Sequence, residues 1–191
     1  MPRLAQAFLE GGARVIQFRA KRLAAARMLD AADALVRAAR PYEAAIIVND
    51  RVDVALASGA AGVHVGQEDL PPAAARRLLG AGATIGYSTH SVAQIEAAAE
   101  EPVTYIAVGP VFGTETKATG YDAVGLALVA EAARRAQGRP VVAIGGITLA
   151  RAPEVMAAGA SSVAVITDLL AGGDPRARVA AYLRALNPAK G

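Results

Sequence analysis

Three times the chain repeats one phrase: an Ala-rich stretch, a glycine, a few small residues, and then a β-branched run. Gly12-Ala13-Arg14-Val15-Ile16, Gly59-Ala60-Ala61-Gly62-Val63-His64-Val65 and Gly159-Ala160-Ser161-Ser162-Val163-Ala164-Val165 all follow this order. A glycine in that place can take the left-handed conformation that ends a helix, so each phrase reads as helix, stop, strand. Repetition of the phrase means βα units, and strands alternating with helices build a parallel sheet with right-handed crossovers.

The remaining pattern fits that frame. Strands are expected near 14–18, 46–49, 63–65, 84–87, 105–109, 141–144 and 163–166, with helices over 2–10, 21–39, 52–58, 72–79, 91–100, 126–137, 149–158 and 175–186. Several helices carry start signals: Asp69 with Pro71 and Pro72, Ser91 as a cap, and Thr148. Seven strands with a helix ahead of the first is one strand short of a (β/α)8 TIM-type barrel, a fold of about 250 residues with about 200 near its lower limit. The pattern therefore predicts one TIM-type barrel domain over residues 1–191 that lacks its N-terminal first strand. A doubly wound open sheet is the structural alternative, but its glycine fingerprint after the first strand is absent. The gap would leave unpaired strand edges that invite partners, including a homo-oligomer, and the expectation is that the native polypeptide begins upstream.

Composition narrows the function classes. With 54% hydrophobic residues the 191-residue chain can bury a sizeable core. It has no cysteine, which excludes disulfides and thiolate metal sites and suits a reducing cytoplasm. No apolar run reads as a signal peptide or a membrane span, so the expectation is a cytoplasmic protein with no membrane partner. The net charge is +3 and the pI about 9.5. Yet the basic residues are spread among acidic ones along helix faces, and aromatics are only 4%, so no nucleic-acid footprint is expected.

Nearly every polar residue that interrupts the apolar pattern falls at the carboxyl end of a strand: Gln17-Phe18-Arg19-Ala20-Lys21, Asn49-Asp50-Arg51, Gly66-Gln67-Glu68-Asp69, Ser88-Thr89-His90, the loop 109–125, Gly145-Gly146-Ile147-Thr148 and Thr167-Asp168. Barrel enzymes place their active sites on that face, so the distribution argues for catalysis. Asp50 and Asp69 close two successive parallel strands and would share one edge, an arrangement that holds a hard cation together with substrate phosphate oxygens. Thr114, Thr116 and Lys117, beside Gly113, make a phosphate clamp. Gly145-Gly146 and Ile166-Thr167 sit where barrels commonly bind a second phosphate. Two phosphate regions on one face suggest two phosphorylated substrates.

In order and spacing, Gln17-Phe18-Arg19-Ala20-Lys21, Asn49-Asp50-Arg51, His64-Val65-Gly66-Gln67-Glu68-Asp69, Gly86-Tyr87-Ser88-Thr89-His90, Gly109-Pro110-Val111-Phe112 with Thr114-Glu115-Thr116-Lys117, and Ile144-Gly145-Gly146-Ile147-Thr148 resemble the motifs of the thiamine-phosphate synthase family. The match runs from about residue 8 to about residue 175. It implies a transferase that joins 4-amino-2-methyl-5-(diphosphomethyl)pyrimidine to the phosphate ester of hydroxyethyl-methylthiazole, releasing diphosphate through a pyrimidine methyl cation. It also implies a strand before the first helix.

The resemblance further implies roles. Mg2+ on Asp50 and Asp69, with Arg19, Lys21 and Lys117, would meet the leaving diphosphate. Gln17 and Asn49 would hold the leaving group or pyrimidine, and Ser88 the diphosphate or the pyrimidine edge. Thr114, Thr116, Gly146, Ile166 and Thr167 map onto the thiazole-phosphate side. A dissociative displacement needs no general base, so His90 is not cast as one. Two other functions stay open: a thiazole tautomerase of the same fold, using a histidine near His90, and a non-catalytic barrel that binds thiazole phosphate. Each site residue has a plainer reading too. Asp50 could pair Arg51 or cap a helix, His64 reads as a satisfied core histidine, and Asp168 could cap the helix after it. Ala20, Phe18 and the run after Lys117 depart from the family's usual residues, which bears on substrate positioning and not on the reaction class.

Overall fold

The computed structural model describes residues 2–113 and 122–186, and helices and strands alternate along them. In chain order they are α1 (Pro2–Glu10), β1 (Val15–Phe18), α2 (Ala25–Ala39), β2 (Ala45–Asn49), α3 (Val52–Ser58), β3 (Gly62–Val65), α4 (Pro72–Leu79), β4 (Thr84–Thr89), α5 (Val92–Glu100), β5 (Tyr105–Val108), α6 (Gly125–Arg135), β6 (Val141–Ile144), α7 (Ala152–Ala157), β7 (Ser162–Ala164) and α8 (Pro175–Leu186). Short 3₁₀ turns cover Arg40–Tyr42 and Thr167–Leu170.

All seven strands join one parallel sheet in the order β1-β2-β3-β4-β5-β6-β7. This is the TIM-type α/β arrangement with seven strands among the described residues. β1 and β7 are its two ends and do not pair with each other, and Val15 at the β1 edge is 65% exposed. The helix layer bridges that interval, since α1 packs against both α2 and α8.

Strand alternation separates two environments. Ile46 and Val48 of β2, Val63 and Val65 of β3, Ile85 of β4, and Ile106 and Val108 of β5 belong to the core that the sheet forms with its helices. The intervening positions Asn49, His64, Gly86, Ser88 and Tyr105 line the other face, the lumen of the curved sheet. The helices present matching stripes. On α2, Met28, Ala32, Leu35 and Ala39 recur at helical spacing and are buried. Burying Leu35 there contributes about 1.5–3 kcal/mol.

The three repeated phrases do what their composition predicts. Gly12, Gly59 and Gly159 all hold positive φ, at 104°, 63° and 106°, and each donates its N–H back into the helix it ends. Ser91 caps α5, accepting the Gln94 N–H at 3.3 Å. Ser91→Ala is expected to lower stability by about 1 kcal/mol, read as a melting temperature about 2–4 °C lower.

Several boundaries differ from the sequence expectation. β4 runs on through Thr89, so Ser88 lies inside the strand and not beyond it. α2 begins at Ala25, four residues later than expected, which leaves Lys21 in the preceding loop at the sheet's carboxyl edge. α7 spans Ala152–Ala157, because Pro153 fits only the first turn of a helix and prevents extension back to Leu149. β7 ends at Ala164, and Ile166 turns away at φ −122° and ψ −75°. Asp69 does not cap α4 with its side chain, whose N-cap position is Pro71. Among the described residues no helix is long and apolar enough to cross a membrane.

Candidate active site

Because the strands are parallel, their carboxyl ends share one edge, and the described candidate residues gather there. Asn49 is the last residue of β2 and is only 6% exposed. Asp50 follows at φ +65°, its N–H donating to the His64 carbonyl at 2.8 Å. That left-handed turn is one Asp and Asn tolerate better than other side chains. The Asp50 carboxyl faces that of Asp69, close enough for each to act on the other's charge. Asp69 is itself fixed by the Gly66 N–H, which donates to Oδ2 at 2.7 Å.

Burial raises the Asp50 carboxyl above its usual value, and the neighbouring Asp69 carboxyl pushes it further the same way. Lys21 and Arg19 are near enough to oppose that shift. Two carboxylates forced together beside two cations fit a divalent ion that also carries phosphate oxygens. The described residues hold no group of three or more His, Cys, Asp or Glu that could bind a metal by themselves. A cation on this pair would therefore draw its remaining ligands from substrate and water.

Arg19 supplies a second sign of an anion. Its Nε is buried with no hydrogen-bond partner among the described residues, a costly condition for a guanidinium unless a ligand completes it. Beside it a cavity of about 260 Å³ is lined by Ala20, Lys21, Leu23, Met28, Asn49, Asp50 and Arg51. Arg51 does not pair with Asp50: its Nε and Nη2 donate to Asp53 at 2.8 and 2.5 Å. The simplest alternative for Asp50 is thereby removed.

Ser88 is half-buried, and its Oγ lies 2.8 Å from His64 Nε2. Gln67 reaches across to donate to the Ser88 carbonyl at 2.6 Å. His90 has a structural contact: its Nδ1 is hydrogen-bonded to the Gly109 carbonyl, and its backbone N–H donates to Gln94 Oε1 at 2.7 Å. Gln17 is exposed on the lumen side of β1, near enough to the Tyr105 hydroxyl to lower its pKa in part against the effect of burial.

The loops after β6 and β7 carry Gly146, Ile166 and Thr167, and Asp168 fastens them together. Its Oδ2 accepts the Leu149 N–H at 3.0 Å, Arg178 Nη2 at 2.8 Å and the Tyr182 hydroxyl at 2.5 Å. Burial alone would raise the Asp168 carboxyl, but the hydrogen bonds from Tyr182, Arg178 and Leu149 outweigh it and hold it below its usual range. Asp168 is thus a tie between two loops and α8, not a helix cap. Arg151 lies over the Phe112 ring at 4.5 Å, closing the β5 loop onto the start of α7. Thr114, Thr116 and Lys117 lie outside the described residues.

Two residues beside the candidate site carry contacts that the sequence pattern did not single out. Gln67 sits inside a quoted motif without an assigned role. Tyr105 opens a strand, and its only sequence signal is an aromatic beginning a run whose neighbour in register is Gly86.

The comparisons with known proteins agree with one another. A family model described as thiamine monophosphate synthase matches residues 1–169. The chain is 47% identical over 182 residues to a thiamine-phosphate synthase from Mycobacterium sp. (strain KMS), covering 91% of this chain and 80% of that protein. It is 46% identical over 190 residues to a thiamine biosynthesis bifunctional protein from Symbiobacterium thermophilum, spanning all of this chain and 39% of that longer one. A solved thiamine phosphate pyrophosphorylase from Pyrococcus furiosus superposes with a TM-score of 0.90 at 32% identity, covering 100% of this chain and 91% of the other.

Proposed function

The chain belongs to the thiamine monophosphate synthase family, and from that premise we propose that it makes thiamine phosphate by the condensation its motifs imply. The C–O bond between the pyrimidine methylene and diphosphate breaks, and the electron pair leaves on the diphosphate oxygen. The thiazole nitrogen then shares its lone pair with the methylene carbon to form the new C–N bond. No proton has to move, which accords with a site whose described histidines are hydrogen-bonded to protein groups. The names of the relatives favour this reading over the tautomerase and the non-catalytic barrel.

The observation that carries the proposal is the facing Asp50–Asp69 pair with Arg19 and Lys21 beside it. Such a site can gather negative charge that grows as the leaving group departs. Bound Mg2+ would supply Lewis-acid stabilisation of the departing diphosphate, with Asp50 and Asp69 as its protein ligands. Arg19 would meet diphosphate through its unpartnered Nε, and Lys21 would add a mobile positive charge from the loop. Asn49 and Gln17 would orient the pyrimidine or the leaving group by amide hydrogen bonds, and Ser88 would meet one of the same partners. Gly146, Ile166 and Thr167 would take the thiazole phosphate, with Thr114, Thr116 and Lys117 assigned to the phosphate clamp on the sequence alone.

The test is to incubate the protein with both phosphorylated substrates and magnesium and to follow thiamine phosphate and diphosphate together. Equal amounts of both products are expected, and neither product from competent protein would overturn the proposal. Arg19→Gln keeps hydrogen-bonding capacity but removes the charge. It is expected to lower kcat about 100-fold or more, with the melting temperature little changed. A rate within two-fold of the parent would take Arg19 out of the mechanism.

A further inference from the structure

The lumen of the sheet holds a hydrogen-bonded chain that the displacement itself does not use. His64 of β3, Gly86 of β4 and Tyr105 of β5 stand side by side in register. The Tyr105 hydroxyl lies 2.9 Å from His64 Nδ1, and the two rings stack at 5.6 Å with 28° between their planes. Gly86 is what allows them to meet. A Cβ there would come 2.1 Å from Tyr105 Cζ and 2.5 Å from His64 Nδ1, so any side chain would displace both. Ser88 lies two residues further along β4, on the same face, with its Oγ 2.8 Å from the other imidazole nitrogen.

The direction of these bonds follows from the donor inventory. Burial pushes the Tyr105 phenol up to about 12, so at neutral pH it keeps its proton. The hydrogen-bond partner of that hydroxyl among the described residues is His64 Nδ1 at 2.9 Å, and that nitrogen accepts the Tyr105 proton. A neutral imidazole that accepts at Nδ1 carries its own hydrogen on Nε2. That hydrogen then goes to Ser88 Oγ, and the serine hydroxyl hydrogen is left to point away from His64.

We infer that His64 and Tyr105 are positioning residues that present Ser88 to the substrate as a hydrogen-bond donor. The inference rests on the proposed function in one respect, that Ser88 faces the diphosphate or the pyrimidine edge. A serine that could turn its proton toward His64 would offer those acceptors only a lone pair. The Tyr105-His64 relay removes that orientation before substrate arrives.

Two measurements test this. The chain has two histidines, so 15N imidazole shifts of the whole protein, with His64→Gln to assign the signals, report the His64 tautomer without need of turnover. The Nε2–H tautomer is expected, and a predominant Nδ1–H tautomer overturns the inference even if the protein proves not to be a synthase. In the assay, Tyr105→Phe keeps the ring and removes only the hydroxyl. Tyr105→Phe and Ser88→Ala are each expected to lower kcat about 5–10-fold, and the double variant to be no slower than the slower single one. Losses that multiply in the double variant would mean that Tyr105 acts on the fold and not through Ser88. Absence of product from the unaltered protein would count against the proposed function, while the tautomer would still decide the relay.

Discussion

Asp50→Asn is expected to lower turnover by about 100- to 1,000-fold or more and, in metal-free buffer at neutral pH, to raise the melting temperature. Both effects come from one piece of electrostatics. The folded protein holds Asp50 above its ordinary value through burial and the adjoining Asp69. In the unfolded chain an Asp ionises near about 3.9. Between those two values the folded state binds the proton more tightly than the unfolded one, so stability falls as pH rises through that window. Above it, the full repulsion of the carboxylate pair weighs on the metal-free fold. Asn removes that charge, matches the side chain in shape and tolerates the left-handed backbone at φ +65°. Alanine would mix this effect with strain.

The same charge pair that burdens the metal-free protein is what a divalent cation with diphosphate would relieve. Magnesium plus diphosphate is therefore expected to raise the melting temperature of the parent chain and to leave that of Asp50→Asn nearly unmoved. Calorimetry with and without chelator, beside initial rates of thiamine phosphate formation, separates the outcomes. A variant that keeps turnover within two-fold would remove Asp50 from the reaction. A variant that is slow but no more stable without metal would show that the pair is not repulsive in the free protein.

Asp168→Ala is expected to lower the free energy of unfolding by about 2–4 kcal/mol, the largest stability loss anticipated from a single polar side chain here. The Asp168 side chain is 14% exposed and that of Arg178 28%. Its removal leaves the Arg178 guanidinium, the Tyr182 hydroxyl and the Leu149 N–H without their shared acceptor. Those groups belong to α8 and to the loop after β6, so the loss also loosens the segment that carries Gly146, Ile166 and Thr167. The KM for the thiazole phosphate is expected to rise more than kcat falls. The acid limb provides a second signature. The Asp168 carboxyl is held below its usual value, so its contribution is present above the unfolded value and is lost as pH falls through the folded one. Asp168→Asn should lack that part of the acid-induced loss. Urea unfolding across pH 2–7 measures both, and a loss under about 0.5 kcal/mol for Asp168→Ala would contradict the assignment.

Much of the site was legible in the residue order because strand ends are marked locally. Asn49-Asp50 and Gly66-Gln67-Glu68-Asp69 each follow an apolar run, and parallel pairing of β2 with β3 places both ends on one edge. Asp168 shows the opposite case. Its neighbours in the chain suggest a cap, yet its partners are Leu149 on one side and Arg178 and Tyr182 ten and fourteen residues onward. Ser88 was recognised as a site residue but placed after its strand, since the pattern of β4 loses its apolar alternation two residues before the hydrogen bonding ends. Arg51 was a plausible partner for Asp50 on adjacency alone, and the first turn of α3 gave it Asp53 instead.

The order of helices and strands, their stops at Gly12, Gly59 and Gly159, and the collection of polar residues at one edge were determined by the sequence itself. These features depend on periodicity and on backbone preferences that act within a few residues. Tertiary structure alone decided that Asp50 would face Asp69, that Arg19 Nε would be left without a partner, and that Tyr105 would reach Ser88 through His64. Those contacts join residues 19 to 41 positions apart or hang on how a side chain is enclosed, and they arise only when strand register and sheet curvature bring the separate ends to hydrogen-bonding distance.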